Sequence, residues 1–90
     1  MSEVKFSLGR TIITASAKEV LTEKDIATAL RRHAAGDWGE VPKADKRSND
    51  LALTGEDRIL SAYKATNGTR FWVLTEWDRS ATTIMLPSDY

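Results

Sequence analysis

Ninety residues with 13 basic and 13 acidic side chains carry no net charge, so no global field steers this chain toward nucleic acid or anionic lipid. The length suits one domain over residues 1–90 built on a single core, and 41% apolar with 29% charged residues is ordinary for a globular protein. The lack of cysteine excludes disulfides, thiolate metal sites and thiol nucleophiles, and zinc at the one histidine, His33, would need three further ligands from carboxylates alone.

The opening MSEVKFSLGR lacks the basic-then-apolar layout of a signal peptide, and no apolar run reaches spanning length. The expected address is the cytoplasm, with no membrane contact. Thr11 to Ala15 is short, β-branched and preceded by Gly9, which predicts an edge strand, followed by a helical turn over Ala17–Leu21. The clearest helix begins after Thr22. Thr22 suits the N-cap, Asp25 the third position of a capping box, and Leu21 with Ile26 the hydrophobic staple. Ile26, Ala29, Leu30 and His33 share one stripe, Arg31 and Arg32 complement the dipole of the last turn, and Gly36 is the stop. A second helix is expected from Pro42 to about Gly55, mostly polar, touching the core through Leu51 with Ala52 or Leu53.

The last third, Arg58 to Tyr90, reads as a three-stranded antiparallel meander. Asn67-Gly68 marks a tight hairpin, and Trp77-Asp78-Arg79-Ser80 a second turn before Ala81–Leu86. A two-residue turn at Asn67-Gly68 sets Tyr63 opposite Trp72; a loop over 77–80 sets Val73 opposite Ile84. One face then carries Leu60, Ala62, Phe71, Val73, Ile84 and Leu86, and the helices should pack there. The other carries Ile59, Ser61, Tyr63, Trp72, Leu74, Thr83 and Met85. It is too apolar for a solvated face, so the N-terminal segment or another chain should cover it.

Four features invite a functional reading. Asp37-Trp38-Gly39 could anchor a partner, though a core plug capped by Asp37 is the plainer account. Glu76-Trp77-Asp78-Arg79-Ser80 gathers two carboxylates, a guanidinium, a hydroxyl and an indole. Its plain reading is a turn fixed by an Arg79 pair with Asp78 or Glu76. His33 could be a general base but fits capping or packing better. Tyr63 and Trp72 could stack nucleobases, yet only Lys64 and Arg70 flank them. No phosphate loop, nucleophile elbow or H-E-x-x-H pattern occurs, and no cofactor is expected.

Phe6-Ser-Leu-Gly9, Arg32-His33 before Gly36-Asp-Trp-Gly39, Asp45 through Asn49, Leu60-Ser-Ala-Tyr63 and Trp72 through Tyr90 resemble a family of small proteins of bacterial plasmids, integrated elements and phages. Such proteins carry labels such as "plasmid-related protein" or "type I restriction endonuclease subunit M". The most specific part is the ending T-E-x-D-R-S-x-T-T-I-x-L-P-x-x-Y, here Thr75 to Tyr90; the family typically has a small residue at the place of Trp77. The resemblance implies a mobile-element context rather than a mechanism. The methyltransferase label fails physically, because ninety residues hold neither a doubly wound cofactor domain nor an Asn-Pro-Pro-aromatic motif.

The sequence therefore predicts an α+β fold: a three- to four-stranded antiparallel sheet with two or three helices on one face. The expected function is that of a non-enzymatic accessory protein binding a protein partner, such as a host defence or restriction component. The residues for that contact are Asp37, Trp38, Tyr63, Trp72, Glu76, Trp77, Asp78 and Arg79. A homodimer is compatible with the mixed face. The rival is a small metal-independent endoribonuclease of toxin type, with Arg58, Arg70, Arg79, Tyr63 and His33 as its candidates. A dimeric nucleic-acid-binding regulator comes last, because neither helix shows a basic recognition face.

Overall fold

The computed structural model describes residues 4–90. Its elements run β1 (Arg10–Ile13), α1 (Ala15–Val20), α2 (Glu23–Ala34), α3 (Lys43–Ala52), β2 (Ile59–Lys64), β3 (Arg70–Thr75) and β4 (Ala81–Met85), then a 3-10 turn over Pro87–Asp89. The fold is α+β, as expected, with a four-stranded sheet in the order β1-β4-β3-β2. The sheet is mixed rather than antiparallel throughout, because β1 lies parallel to β4. What fixes its direction lies at its start. The Thr82 hydroxyl donates to the Leu8 carbonyl at 2.7 Å, and Gly9, at φ 62°, lies so close to Ser80 that a Cβ would meet backbone atoms at 2.4–2.5 Å. Only glycine fits there.

The helices follow their local signals. Thr22 and Asp25 form the capping box, and Leu21 and Ile26 pack in the same core cluster. α2 ends in a Schellman motif: Gly36, at φ 85°, donates its N–H to the His33 carbonyl, and Asp37 donates to that of Arg32. α3 touches the core through Ala52 and the buried Asn49, while Leu51 points to solvent.

β3 and β4 pair as predicted, Val73 opposite Ile84 and Trp72 opposite Met85. β2 does not. It is displaced by one residue, with Ala62 opposite Trp72 and Tyr63 opposite Phe71. The hairpin loop spans Thr66, Asn67 and Gly68 rather than two residues; Ala65 donates to Thr69, and only Gly68 has a positive φ. Asp25 selects this longer loop, since its carboxylate accepts the Thr66 N–H at 3.1 Å. A one-residue slip exchanges the two faces of a strand. Ile59, Ser61 and Tyr63 consequently join Phe71, Val73, Thr75, Thr82 and Ile84 beneath α1 and α2, while Leu60 and Ala62 move to the opposite face with Trp72, Leu74, Thr83 and Met85.

That opposite face is partly covered from the C-terminus rather than the N-terminus. Tyr90 packs edge-on against Trp72 at 5.7 Å, and Pro87 joins Leu60, Ala62 and Trp72 along a groove. The outer edge of β2 is sealed as well. The Asn49 side chain donates to the Leu60 carbonyl and accepts its N–H, and the Trp38 and Glu40 backbones do the same for Ala62.

Candidate functional site

His33 sits fully buried beneath the sheet's helical face and is the hub of a polar chain. Its Nε2 lies 2.9 Å from the Thr75 hydroxyl, Thr75 lies 2.7 Å from the Thr82 hydroxyl, and Thr82 donates to the Leu8 carbonyl. A carbonyl only accepts, so the proton order of the whole chain is set. Thr75 donates to Thr82, His33 Nε2–H donates to Thr75, and Nδ1 accepts from Ser61 at 2.5 Å. Burial drives the His33 pKa down to about 4, so the ring is neutral near pH 7. The Ser61–His33 pair has the spacing of a nucleophile and its base but no opening to admit a substrate. It ties three strands and the N-terminal segment together.

The other catalytic candidates are equally occupied. The Tyr63 hydroxyl donates to the Asp37 carbonyl at 2.5 Å, and burial raises its pKa to about 12. Arg70 is paired with Glu40, Arg58 lies over the Tyr90 ring, and Arg79 is consumed by backbone carbonyls. His33, Tyr63, Arg58, Arg70 and Arg79 do not converge on one point. Among the described residues no three His, Asp or Glu side chains gather into a metal-ligand set, and no helix is long and apolar enough to cross a membrane.

The eight residues assigned to partner contact divide sharply. Trp38 is 4% exposed: its ring packs against Phe6 and His33, and Nε1 donates to Asp50 at 2.9 Å. Asp37 pairs with Arg32 and accepts the Gly39 N–H, and the Arg32 guanidinium holds its carboxyl below the usual range. Arg32 in turn lies over the Tyr63 ring at 4.6 Å. These three residues are structural. Trp72 is half-buried beside Tyr90.

Glu76, Trp77, Asp78 and Arg79 form the remaining group. Arg79 does not pair with either neighbouring carboxylate. Its guanidinium donates to the carbonyls of Ala52, Asp57, Glu76 and Trp77 at 2.6–3.2 Å. One cation thereby caps the C-terminus of α3 and locks both loops to it. The turn needs Arg79 at φ 61°, a left-handed conformation that costs a non-glycine residue about 1 kcal/mol; the four acceptors offset it. Asp78 closes the loop by accepting the Ser80 N–H, and hydrogen bonds from Ser80 keep it ionised.

On this fixed backbone Trp77 is 57% exposed and Leu51, next to the clamped Ala52, 68% exposed. Glu56, Asp57, Glu76 and Asp78 lie on the two loops that Arg79 joins, none in an ion pair among the described residues. Leu51, expected from its place in the helix to face the core, lies in solvent instead. Its signal lay in Ala52, the smaller neighbour that fits against the sheet. Comparison with family models, curated proteins and solved structures returned no match.

Proposed function

We propose that the protein acts non-enzymatically, as an accessory protein of a mobile genetic element, by binding a protein partner through the end of the molecule that carries Trp77 and Leu51. The observation behind this reading is a large exposed indole on a loop that one arginine ties, through four carbonyls, to the end of α3 and the loop after it. An anchor fixed before contact loses little entropy on binding, and tryptophan dominates interface hot spots. The four carboxylates on the two clamped loops define the complement. They favour a partner face that is basic around an apolar pocket, and they repel phosphate backbones. The mobile-element context rests on the resemblance spread along the chain, and a host defence or restriction component is the expected class of partner.

The test is capture from a native-host lysate by tagged wild type and by Trp77→Ala, with bound protein and nucleic acid identified together. One stoichiometric basic partner, lost with Trp77→Ala, supports the proposal. RNA or DNA enriched at moderate salt by both forms would overturn it.

A further inference from the structure

The two edges of the sheet are treated oppositely. On β2, the outward backbone groups of Leu60 and Ala62 are all bonded. On β1, the residues whose groups face β4 are Arg10, Ile12 and Thr14, with Arg10 donating to Ser80 and Thr14 to Ile84. Strand alternation then turns the N–H and C=O of Thr11 and Ile13 outward, where nothing in the described chain receives them. No charge, proline or bulge blunts that edge between Thr11 and Ile13.

We infer that this edge is the self-association surface of the protein, pairing β1 antiparallel with β1 of a second copy about Ile12. A two-fold axis along the strand direction would face identical groups against each other, N–H to N–H, and cannot form a parallel ladder. An axis perpendicular to the sheet instead forms an antiparallel ladder, in which each N–H faces a C=O. Centring it on Ile12 sets Thr11 opposite Ile13 of the second copy, and the reverse, so all four outward groups of each chain are used. Ile12, 38% exposed, meets its own counterpart.

Charge complementarity favours a second copy over an unrelated strand. In this register Arg10 lies opposite Thr14 of the other chain. The Thr14 hydroxyl donates to Asp89 at 2.7 Å, and Ser16 holds the same carboxylate at 2.6–2.7 Å. Hydrogen bonds from Ser16 first, then from the Leu86 N–H and Thr14, keep Asp89 ionised. Arg10 and Asp89 are both exposed and form no ion pair among the described residues, so the axis brings a cation to an anchored anion twice. This contact lies on β1, apart from Trp77, and stands or falls independently of the partner proposal.

The experiment is sedimentation equilibrium of the full chain from ~10 µM to ~1 mM, with amide exchange over the same range. Wild type should double its mass across the series while the Thr11 and Ile13 amides slow and the Ile12 amide, already facing β4, does not. Thr11→Pro removes one outward N–H and leaves the β4 pairing intact; it should weaken the dimer at least about tenfold with unchanged circular dichroism. If that variant loses its fold, Arg10→Glu decides: it should weaken the dimer most at low salt, where repulsion from Asp89 is unscreened. A wild-type chain still monomeric at the highest concentration would overturn the inference. So would a dimer indifferent to Arg10→Glu and to a folded Thr11→Pro.

Discussion

Trp38 and Trp77 look alike in the sequence, each beside an aspartate in a short polar loop that turns through a left-handed residue, yet the fold uses them in opposite ways. The Trp38 loop is received by the sheet. Its backbone pairs with Ala62, and Gly39 lies so near β2 that a Cβ would meet the Ala62 carbonyl at 2.0 Å, pressing the indole into the core. The Trp77 loop is received by an arginine from its own turn, which binds the Glu76 and Trp77 carbonyls and leaves the ring outside. Whether a loop tryptophan is core or contact surface thus depends on what takes up its backbone hydrogen bonds. The indole's own apolarity does not decide it.

The largest test of that contrast is Trp38→Ala. Truncating a buried indole costs about 3–5 kcal/mol, and here it also strips the partner from Asp50, although the Trp38 carbonyl that seals the β2 edge is retained. Urea denaturation should show a loss at the upper end of that range. Trp38→Phe should lose less, because a ring is kept and only the Asp50 bond goes. A loss below about 1 kcal/mol for the alanine variant would mean that the indole is not part of the core.

The next effect, about 3 kcal/mol, is set by pH and reported by the same indole. The His33 pKa falls from 6.5 to about 4 on folding, so between those values the unfolded chain binds more protons. His33's contribution is complete above pH 6.5, declines as pH falls toward 4, and changes no further below. Protonation gives Nδ1 a hydrogen it cannot donate to Ser61 without reversing the hydroxyl, so the polar chain breaks at β2. Trp38 stands edge-to-face with His33 at 5.8 Å, and its fluorescence should follow the titration in a Trp72→Phe/Trp77→Phe background. Stability flat from pH 7 to 4.5 would contradict this account.

Local chemistry was legible in the sequence; the direction of β1 and the register of β2 were not. The Thr22–Asp25 box, the Gly36 stop and the Val73–Ile84 register are fixed by neighbours a few residues apart, and all are present. The slip of β2 was invisible because it depends on Asp25 reaching the hairpin from 41 residues away. The same slip hid the His33 network, for only in the true register do Ser61, Thr75 and Thr82 line up beneath one ring. Strand periodicity carries no direction, so the parallel β1 was equally out of reach. Of the site, Trp77 and its carboxylates could be read, but Arg79's true acceptors are carbonyls and left no trace in the pattern.

A middle-sized effect separates the clamp from the turn. Arg79→Ala removes charged hydrogen bonds to four carbonyls and should cost about 2–3 kcal/mol. Arg79→Gly loses the same bonds but relieves the left-handed backbone, so it should be about 1 kcal/mol more stable than the alanine variant. Equal melting temperatures for the two would place the strain elsewhere. Arg79→Lys should recover little, since an ammonium cannot span acceptors that the planar fork reaches together.

The smallest effect is the most telling. Trp77→Ala removes the largest exposed side chain of its loop but touches neither the clamp nor the core, so global stability should shift by no more than about 0.5 kcal/mol. The Arg79 bonds run to the Trp77 carbonyl, which alanine retains. A chain that holds a bulky indole in water at no structural gain has no folding reason to keep it, and the proposed binding role of the ring rests on that asymmetry with Trp38. Should Trp77→Ala instead cost 2 kcal/mol or more, on the scale of a buried contact, the indole would belong to the fold, and both tryptophans would be doing the same job from opposite sides.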